Sequence, residues 1–137
     1  MEKTMRMLLA GIIAGFILFM VVSIVYHYTG NISDPSISKL FKETISMKWF
    51  YKILLLNVGS GLIMAIFYAL LCNGLPGVGI FKGIFWGFIV WVFMVHQPLI
   101  MYAVAGRFTM DLLLTWVLQG LTSYVAAGVS IALIYKQ

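Results

Sequence analysis

Charged residues are scarce in this sequence. They make up 9% of the 137 residues, whereas hydrophobic residues make up 63%. A water-soluble domain has about a quarter of its residues charged, so this chain has too few charges to cover a surface that faces water. The composition therefore excludes an ordinary soluble globular domain and predicts a protein whose surface faces lipid.

Cysteine and acidic residues are also rare. The single cysteine, Cys72, excludes an internal disulfide and any metal site built from several thiolates. None of the four acidic residues lies deep inside a long apolar run: Asp111 is at the start of the fourth run, and the other three lie outside the runs. This counts against a cation-coupled carrier, because such carriers usually bind their ion or proton with a buried carboxylate. No Ser–His–Asp arrangement and no pair of carboxylates shares one depth, so the sequence predicts no enzyme.

The basic residues do not indicate a nucleic-acid partner, although the net charge is +5. The nine Lys and Arg residues lie near the ends of apolar runs, where such side chains extend toward lipid head groups. We therefore interpret them as anchors at the membrane edge. The first expected partner is the lipid bilayer itself.

In place of charged residues, the sequence contains long apolar runs. Four of them cover residues 7–28, 52–73, 79–105 and 110–135, and each reaches the length of about 20 residues that crosses a hydrocarbon core. The first run lacks a small-x-small cleavage motif, so we expect it to stay in the protein as a helix.

The segment between the first two runs has a different pattern. Over residues 35–50, apolar and charged side chains fall on opposite faces of a short helix, which is typical of an amphipathic helix at the membrane surface. We therefore predict an all-α fold, a single membrane domain over residues 1–137. It has four transmembrane helices in an antiparallel bundle and one amphipathic interfacial helix between helices one and two. Its location is a membrane, which it crosses several times.

Small residues recur every four positions on three of these helices. This spacing places them along one helix face, where they let a second helix approach closely within lipid. The predicted helix-packing positions are Gly11 and Gly15 on helix one, Asn57 and Gly61 on helix two, and Gly79, Gly83 and Gly87 on helix three.

One polar triplet, His96-Gln97-Pro98, lies within the third apolar run. If helices three and four form a hairpin centred near residues 107 and 108, His96 and Gln119 lie equally far from the turn. Gln97 falls on the face of Gly79, Gly83 and Gly87, so it also points toward a partner helix. The sequence therefore predicts a buried polar cluster of His96, Gln97 and Gln119.

Two interpretations of this cluster remain open. In the first, the three side chains only hydrogen-bond one another and hold the helices together. In the second, His96 carries protons or contacts a ligand or a metal, since ionisable groups inside a membrane often mark function. No cofactor is predicted; a haem shared with another subunit through His96, or copper bound by Met94 and His96, are the options left open.

Two motifs give the chain a family resemblance. The sequence AGIIAG after a basic start, and KGIFWGFIVW followed by Pro98, resemble uncharacterised families of small four-helix prokaryotic integral membrane proteins. The resemblance implies a prokaryotic cell membrane but no known activity.

The function that we predict from the sequence is not catalytic. A small chain with several close-packing helix faces suits an accessory or scaffolding subunit of a larger membrane complex. The alternative is a small homo-oligomeric channel or transporter with a polar site near His96. Other membrane subunits, or further copies of the chain, are therefore the expected protein partners.

Overall fold

The computed structural model describes residues 2–29, 47–105 and 110–135. These residues form four helices: α1 Lys3–Thr29, α2 Met47–Leu71, α3 Ile80–Ala105 and α4 Met110–Ile134. Each contains a stretch of 22 or 23 residues that is long and apolar enough to cross a membrane. The predicted all-α class and the four candidate transmembrane helices are confirmed.

The predicted interfacial helix over residues 35–50 is not seen as a separate element. Residues 30–46 lie outside the described residues, and residues 47–50 form the first turn of α2. The described part of the segment therefore continues directly into the second long helix.

The observed helices begin and end at different residues from the predicted ones. Helix α1 begins at Lys3 rather than at residue 7, and α2 runs from Met47 to Leu71 rather than over residues 52–73. Hydropathy marks the part of a helix that suits lipid. Backbone hydrogen bonding, however, continues through basic residues such as Lys3 and Lys48 at the membrane edge. The predicted starts of α1 and α2 were therefore too late.

The turn between α2 and α3 depends on glycine. The N–H of Gly74 donates to the carbonyl of Leu71 at 2.9 Å and closes the end of α2. Gly77 and Gly79 adopt φ angles of +89° and +54°, in a region that other residues rarely enter. Gly79 therefore belongs to the turn and not to α3, although its carbonyl accepts a 3.2 Å bond from the N–H of Gly83.

The helices pack as an open arc in the order α2, α1, α4 and α3. Helix α1 lies against both α2 and α4, and α3 lies against α4, whereas the backbones of α2 and α3 scarcely approach each other. Alanine allows the close packing at the centre: Ala10, Ala14 and Ala127 are completely buried. The arc thus leaves a lateral opening between α2 and α3.

The outer surface of the arc is apolar. Leu55, Phe93 and Val104 are 74%, 78% and 83% exposed, and large hydrophobic side chains cover the outside of all four helices. Exposing such a surface to water is unfavourable over its whole area. The four-helix arc therefore fits the interior of a lipid bilayer, as a multi-pass membrane protein.

Candidate functional site

Glycine forms the contact between α1 and α2. A β carbon added to Gly11 would lie 2.8 Å from the Cα of Leu62, and one added to Gly61 would lie 2.7 Å from the Cα of Gly15. Real β carbons do not approach other atoms so closely. The two helices therefore cross backbone against backbone, and glycine is required at Gly11, Gly15 and Gly61.

A second glycine contact joins α3 to α4. A β carbon on Gly83 would lie 2.6 Å from the Cα of Val129, and one on Gly87 would lie 2.6 Å from the Cα of Val125. Gly128 faces them from α4, with the Cα of Gly87 2.9 Å from the position of its missing β carbon. A β carbon on Gly79 would meet nothing within 4 Å, so the close-packed face begins at Gly83.

This contact determines which residues of the two helices lie at the same level. Because Gly87 packs against Tyr124 and Val125, His96 lies about level with Thr115 in the antiparallel pair. The predicted partner, Gln119, lies instead about one turn away along the helix axis, near the level of Val92. The register of α3 against α4 thus differs from the predicted one by about one turn, and this difference moves His96 and Gln119 apart.

The orientation of α3 also differs from the prediction. His96 follows Gly87 by nine residues, which places it about 180° around the helix from the face that packs on α4. Gln97 shares the direction of Gly79, but Gly79 lies in the turn, and Gln97 is about 80° from Gly87. Both side chains are exposed, and Gln119 is half-buried.

The predicted polar cluster is therefore not formed within one chain. In the part of the chain that the structure describes, no hydrogen bond joins His96, Gln97 and Gln119. The residues that continue the packing face of α3 are Trp91 and Val95, whose side chains lie 3.3 and 3.1 Å from the β carbon that Gly120 lacks. The polar triplet begins just beyond them and turns outward.

Most other polar side chains in the membrane helices bond to their own backbone. The Asn57 amide donates to the carbonyl of Ile53 at 2.8 Å, and the Ser123 hydroxyl donates to the carbonyl of Gln119 at 2.7 Å. Ser23, Ser60, Thr115 and Thr122 make the same kind of contact four residues back. The Asn57 amide therefore needs no partner on another helix, because a carbonyl one turn away accepts its hydrogen bond.

A side-chain hydrogen bond connects α3 to α4. The indole Nε1–H of Trp91 donates to the carbonyl oxygen of Val117 at 3.3 Å. Trp91 also contacts the ring of Phe88, with the ring centroids 5.6 Å apart. The acceptor follows from the register of α3 against α4, which brings Val117 beside Trp91.

The potential metal ligands are dispersed. Within the described residues, no three His, Cys, Asp or Glu side chains lie close enough to hold one metal ion. His96 and Met94 are both exposed on α3, so a metal or haem at His96 would take its remaining ligands from another polypeptide. The single cysteine of the sequence, Cys72, is buried at the other end of the bundle.

The known proteins offer no guide to this arrangement. Comparison with protein-family models, with curated proteins and with solved structures finds no match to the chain. The resemblance to small four-helix prokaryotic membrane proteins therefore stays a prediction. The candidate site is the outward polar pair of α3, His96 and Gln97.

Proposed function

We propose that this protein is a non-catalytic accessory or scaffolding subunit of a larger complex in a prokaryotic cell membrane. The observation that supports this most directly is the exposure of His96 and Gln97 within a membrane-spanning helix. Both side chains carry hydrogen-bonding groups that the rest of the described chain does not meet.

The depth of the pair makes this exposure unfavourable in lipid. His96 precedes the end of α3 at Ala105 by nine residues, or about 13 Å along the helix axis. Helix α3 has 26 residues and is about 39 Å long, so it extends past a core of about 30 Å at both ends. His96 therefore lies within the hydrocarbon, where an unsatisfied polar group costs several kcal/mol.

A partner helix removes this cost. Imidazole and carboxamide groups hydrogen-bond across helix interfaces in membranes, each bond contributing about 0.6 to 2 kcal/mol. The surroundings of the pair suit such a contact, because Phe93, Ile100 and Met101 are exposed and apolar. This outward face of α3 is the surface on which we place the partner subunit.

A homo-oligomeric channel or transporter is the second candidate function. The same two side chains would then come together from several copies and line a polar path near His96. Both functions need a protein on this face, and they differ in its identity. The partner is another polypeptide in the first case and the same polypeptide in the second.

Co-purification in mild detergent tests the proposal. We expect the wild-type protein to leave the membrane with a different polypeptide, and His96→Gln to retain it, because the amide still donates and accepts hydrogen bonds. His96→Leu should release it. Met101→Leu, a nearly neutral change on the same helix, is the matched control and should retain the partner.

Three results would contradict the proposal. If His96→Leu retains the partner as fully as Met101→Leu, the polar pair is not the contact. If the wild type elutes as a homo-oligomer alone, the channel or transporter function is favoured instead. If the complex assembles normally with His96→Gln but loses activity or a haem absorbance band, His96 has a chemical role and is not simply a contact.

A further inference from the structure

The opening between α2 and α3 contains a groove of about 330 Å³. Its walls and floor are almost entirely apolar, and its lining includes Ser60, Met64, Phe67, Trp86, Val90 and Phe93. The volume lies at the lower end of the range of small-molecule sites, about 300 to 1,000 Å³. The centre of the groove lies about 90° around α3 from His96 and on the side of Gln97, and Phe93 borders both the groove and the polar face described above.

One buried hydrogen-bond donor belongs to this groove. Trp86 is only 4% exposed, and its Nε1–H has no hydrogen-bond partner within the described residues. Its ring packs edge-on against Tyr68, with the centroids 6.1 Å apart. A buried donor without an acceptor is rare and unfavourable. An occupant that brings an acceptor oxygen would therefore be favoured over a pure hydrocarbon.

The size of the groove distinguishes between two possible occupants, a transmembrane helix and a single hydrocarbon chain. The lining residues on α3 extend from Trp86 to Met94, which is eight steps or about 12 Å along the helix axis. A helix with its side chains is about 10–12 Å across, so the same length of helix fills on the order of 1,000 Å³. A transmembrane helix is thus about three times too large. A single hydrocarbon chain fits, and its apolar surface matches the lining.

The charge at one end of the groove indicates the head group of that occupant. Lys82 precedes Trp86 by one turn, so it lies on the same face of α3, closer to the membrane edge. Lys3 and Arg6 lie at the same end of the bundle, because α1 and α2 are antiparallel. Glu2 is the one acidic residue at this end within the described part of the chain. The mouth of the groove is therefore positive.

The positive mouth, the Trp86 N–H and the apolar groove follow one another in the same order as the head group, the ester and the acyl chain of an anionic phospholipid. A helical side chain leans toward the N-terminus of its helix, so the Trp86 ring leans toward Lys82 and the head-group region. We propose that the groove binds one acyl chain of an anionic phospholipid, with its phosphate near Lys82 and its ester carbonyl accepting the Trp86 Nε1–H. The chain then extends along Val90 toward Phe93.

Native mass spectrometry of the full-length protein tests this site. The protein is equilibrated in detergent micelles with equal amounts of phosphatidylglycerol and phosphatidylcholine that carry the same acyl chains. One retained phospholipid per chain is expected, with phosphatidylglycerol preferred about fivefold, since one lysine near a membrane surface attracts an anionic lipid by about 1 kcal/mol. Lys82→Gln should abolish this preference, and Lys52→Gln, at the opposite end of the bundle, should keep it.

Three further variants separate the groove from the head-group contact. Val90→Phe fills the groove and should lower lipid retention at least about tenfold. Val92→Phe adds the same side chain at an exposed position outside the groove and should leave retention unchanged. Trp86→Phe keeps an aromatic ring but removes the N–H, and should weaken retention about fivefold.

Any of several results would overturn the proposal. Equal retention by Val90→Phe and Val92→Phe would show that the lipid binds elsewhere. A preference that survives Lys82→Gln would remove the head-group assignment. Retention of a free fatty acid in place of a phospholipid, or a dimer that Val90→Phe alone disrupts, would assign a different occupant to the groove.

Discussion

Gly87→Ala should weaken the contact between α3 and α4. The added β carbon would lie 2.6 Å from the Cα of Val125 and 2.8 Å from the carbonyl carbon of Tyr124. Both are backbone atoms, so no side-chain rotation relieves the overlap. The carbonyl oxygen of Tyr124 would be nearer still, and since ordinary contacts begin near 3.4 Å, the two helices must separate by about 1 Å at this point.

The size of the effect follows from this separation. A gap of about 0.5–1 Å removes a quarter to a half of the dispersion attraction between the atoms that line it, and overpacking of this kind costs about 1–3 kcal/mol. The greater helix propensity of alanine offsets about 1 kcal/mol of this destabilisation. We therefore expect Gly87→Ala to lower the free energy of unfolding by up to about 2 kcal/mol.

The matched control is Gly59→Ala. Gly59 is also inside a membrane helix, but a β carbon there would meet nothing within 4 Å. Only the gain in helix propensity remains, so this change should raise the free energy of unfolding by up to about 1 kcal/mol. Reversible unfolding by SDS in mixed micelles, followed by circular dichroism, measures both variants. Shifts of equal size and direction at the two glycines would refute the packing argument.

Three further predictions concern single side chains. Trp91→Phe should lower the free energy of unfolding by about 0.5–1.5 kcal/mol in the same assay, because the hydrogen bond to Val117 is lost; no change would mean that this bond contributes nothing. Asn57→Ala should change it by less than about 1 kcal/mol, because the amide bonds to Ile53 of its own helix, and a larger loss would indicate a partner on another helix. The Cys72 thiol is 1% exposed, so it should react with a maleimide only after unfolding, and rapid labelling of the folded protein would contradict its burial.

Composition and spacing predicted the class of fold well. The scarcity of charge and the four apolar runs predict four membrane helices, and the described residues form four helices that are long and apolar enough to cross a membrane. Glycines four residues apart predict close approach within lipid, and Gly11, Gly15, Gly83 and Gly87 each lie against the backbone of a neighbouring helix. Both inferences depend on local properties of the sequence, which need no knowledge of the tertiary structure.

The predicted polar cluster depended on long-range geometry, and there the sequence was insufficient. A difference of about one turn in the register of α3 against α4 moves His96 and Gln119 apart. The prediction placed Gln97 on the packing face because Gln97 points in the same direction as Gly79. Gly79, however, lies in the turn, and Gln97 is about 80° around the helix from Gly87.

The sequence did not predict the groove or its buried N–H donor, because both also depend on how the helices pack. Trp86 is one tryptophan among four in the sequence, and nothing in the linear pattern indicates that its N–H is left without an acceptor. That property depends on the gap between α2 and α3, which arises because α1 and α4 hold the arc together. The spacing of Lys82 and Trp86 was the available signal, since it places both on one helix face.

Photo-crosslinking from position 96 tests the central claim most directly. A benzophenone amino acid replaces His96 in one variant and Phe81, which is 74% exposed near the other end of α3, in a control variant. Irradiation in native membranes should join position 96 to a different polypeptide, whereas position 81 should give mainly lipid adducts. Lipid adducts alone from both positions would contradict a protein partner at His96, and an adduct between two copies would replace the accessory subunit with a homo-oligomer.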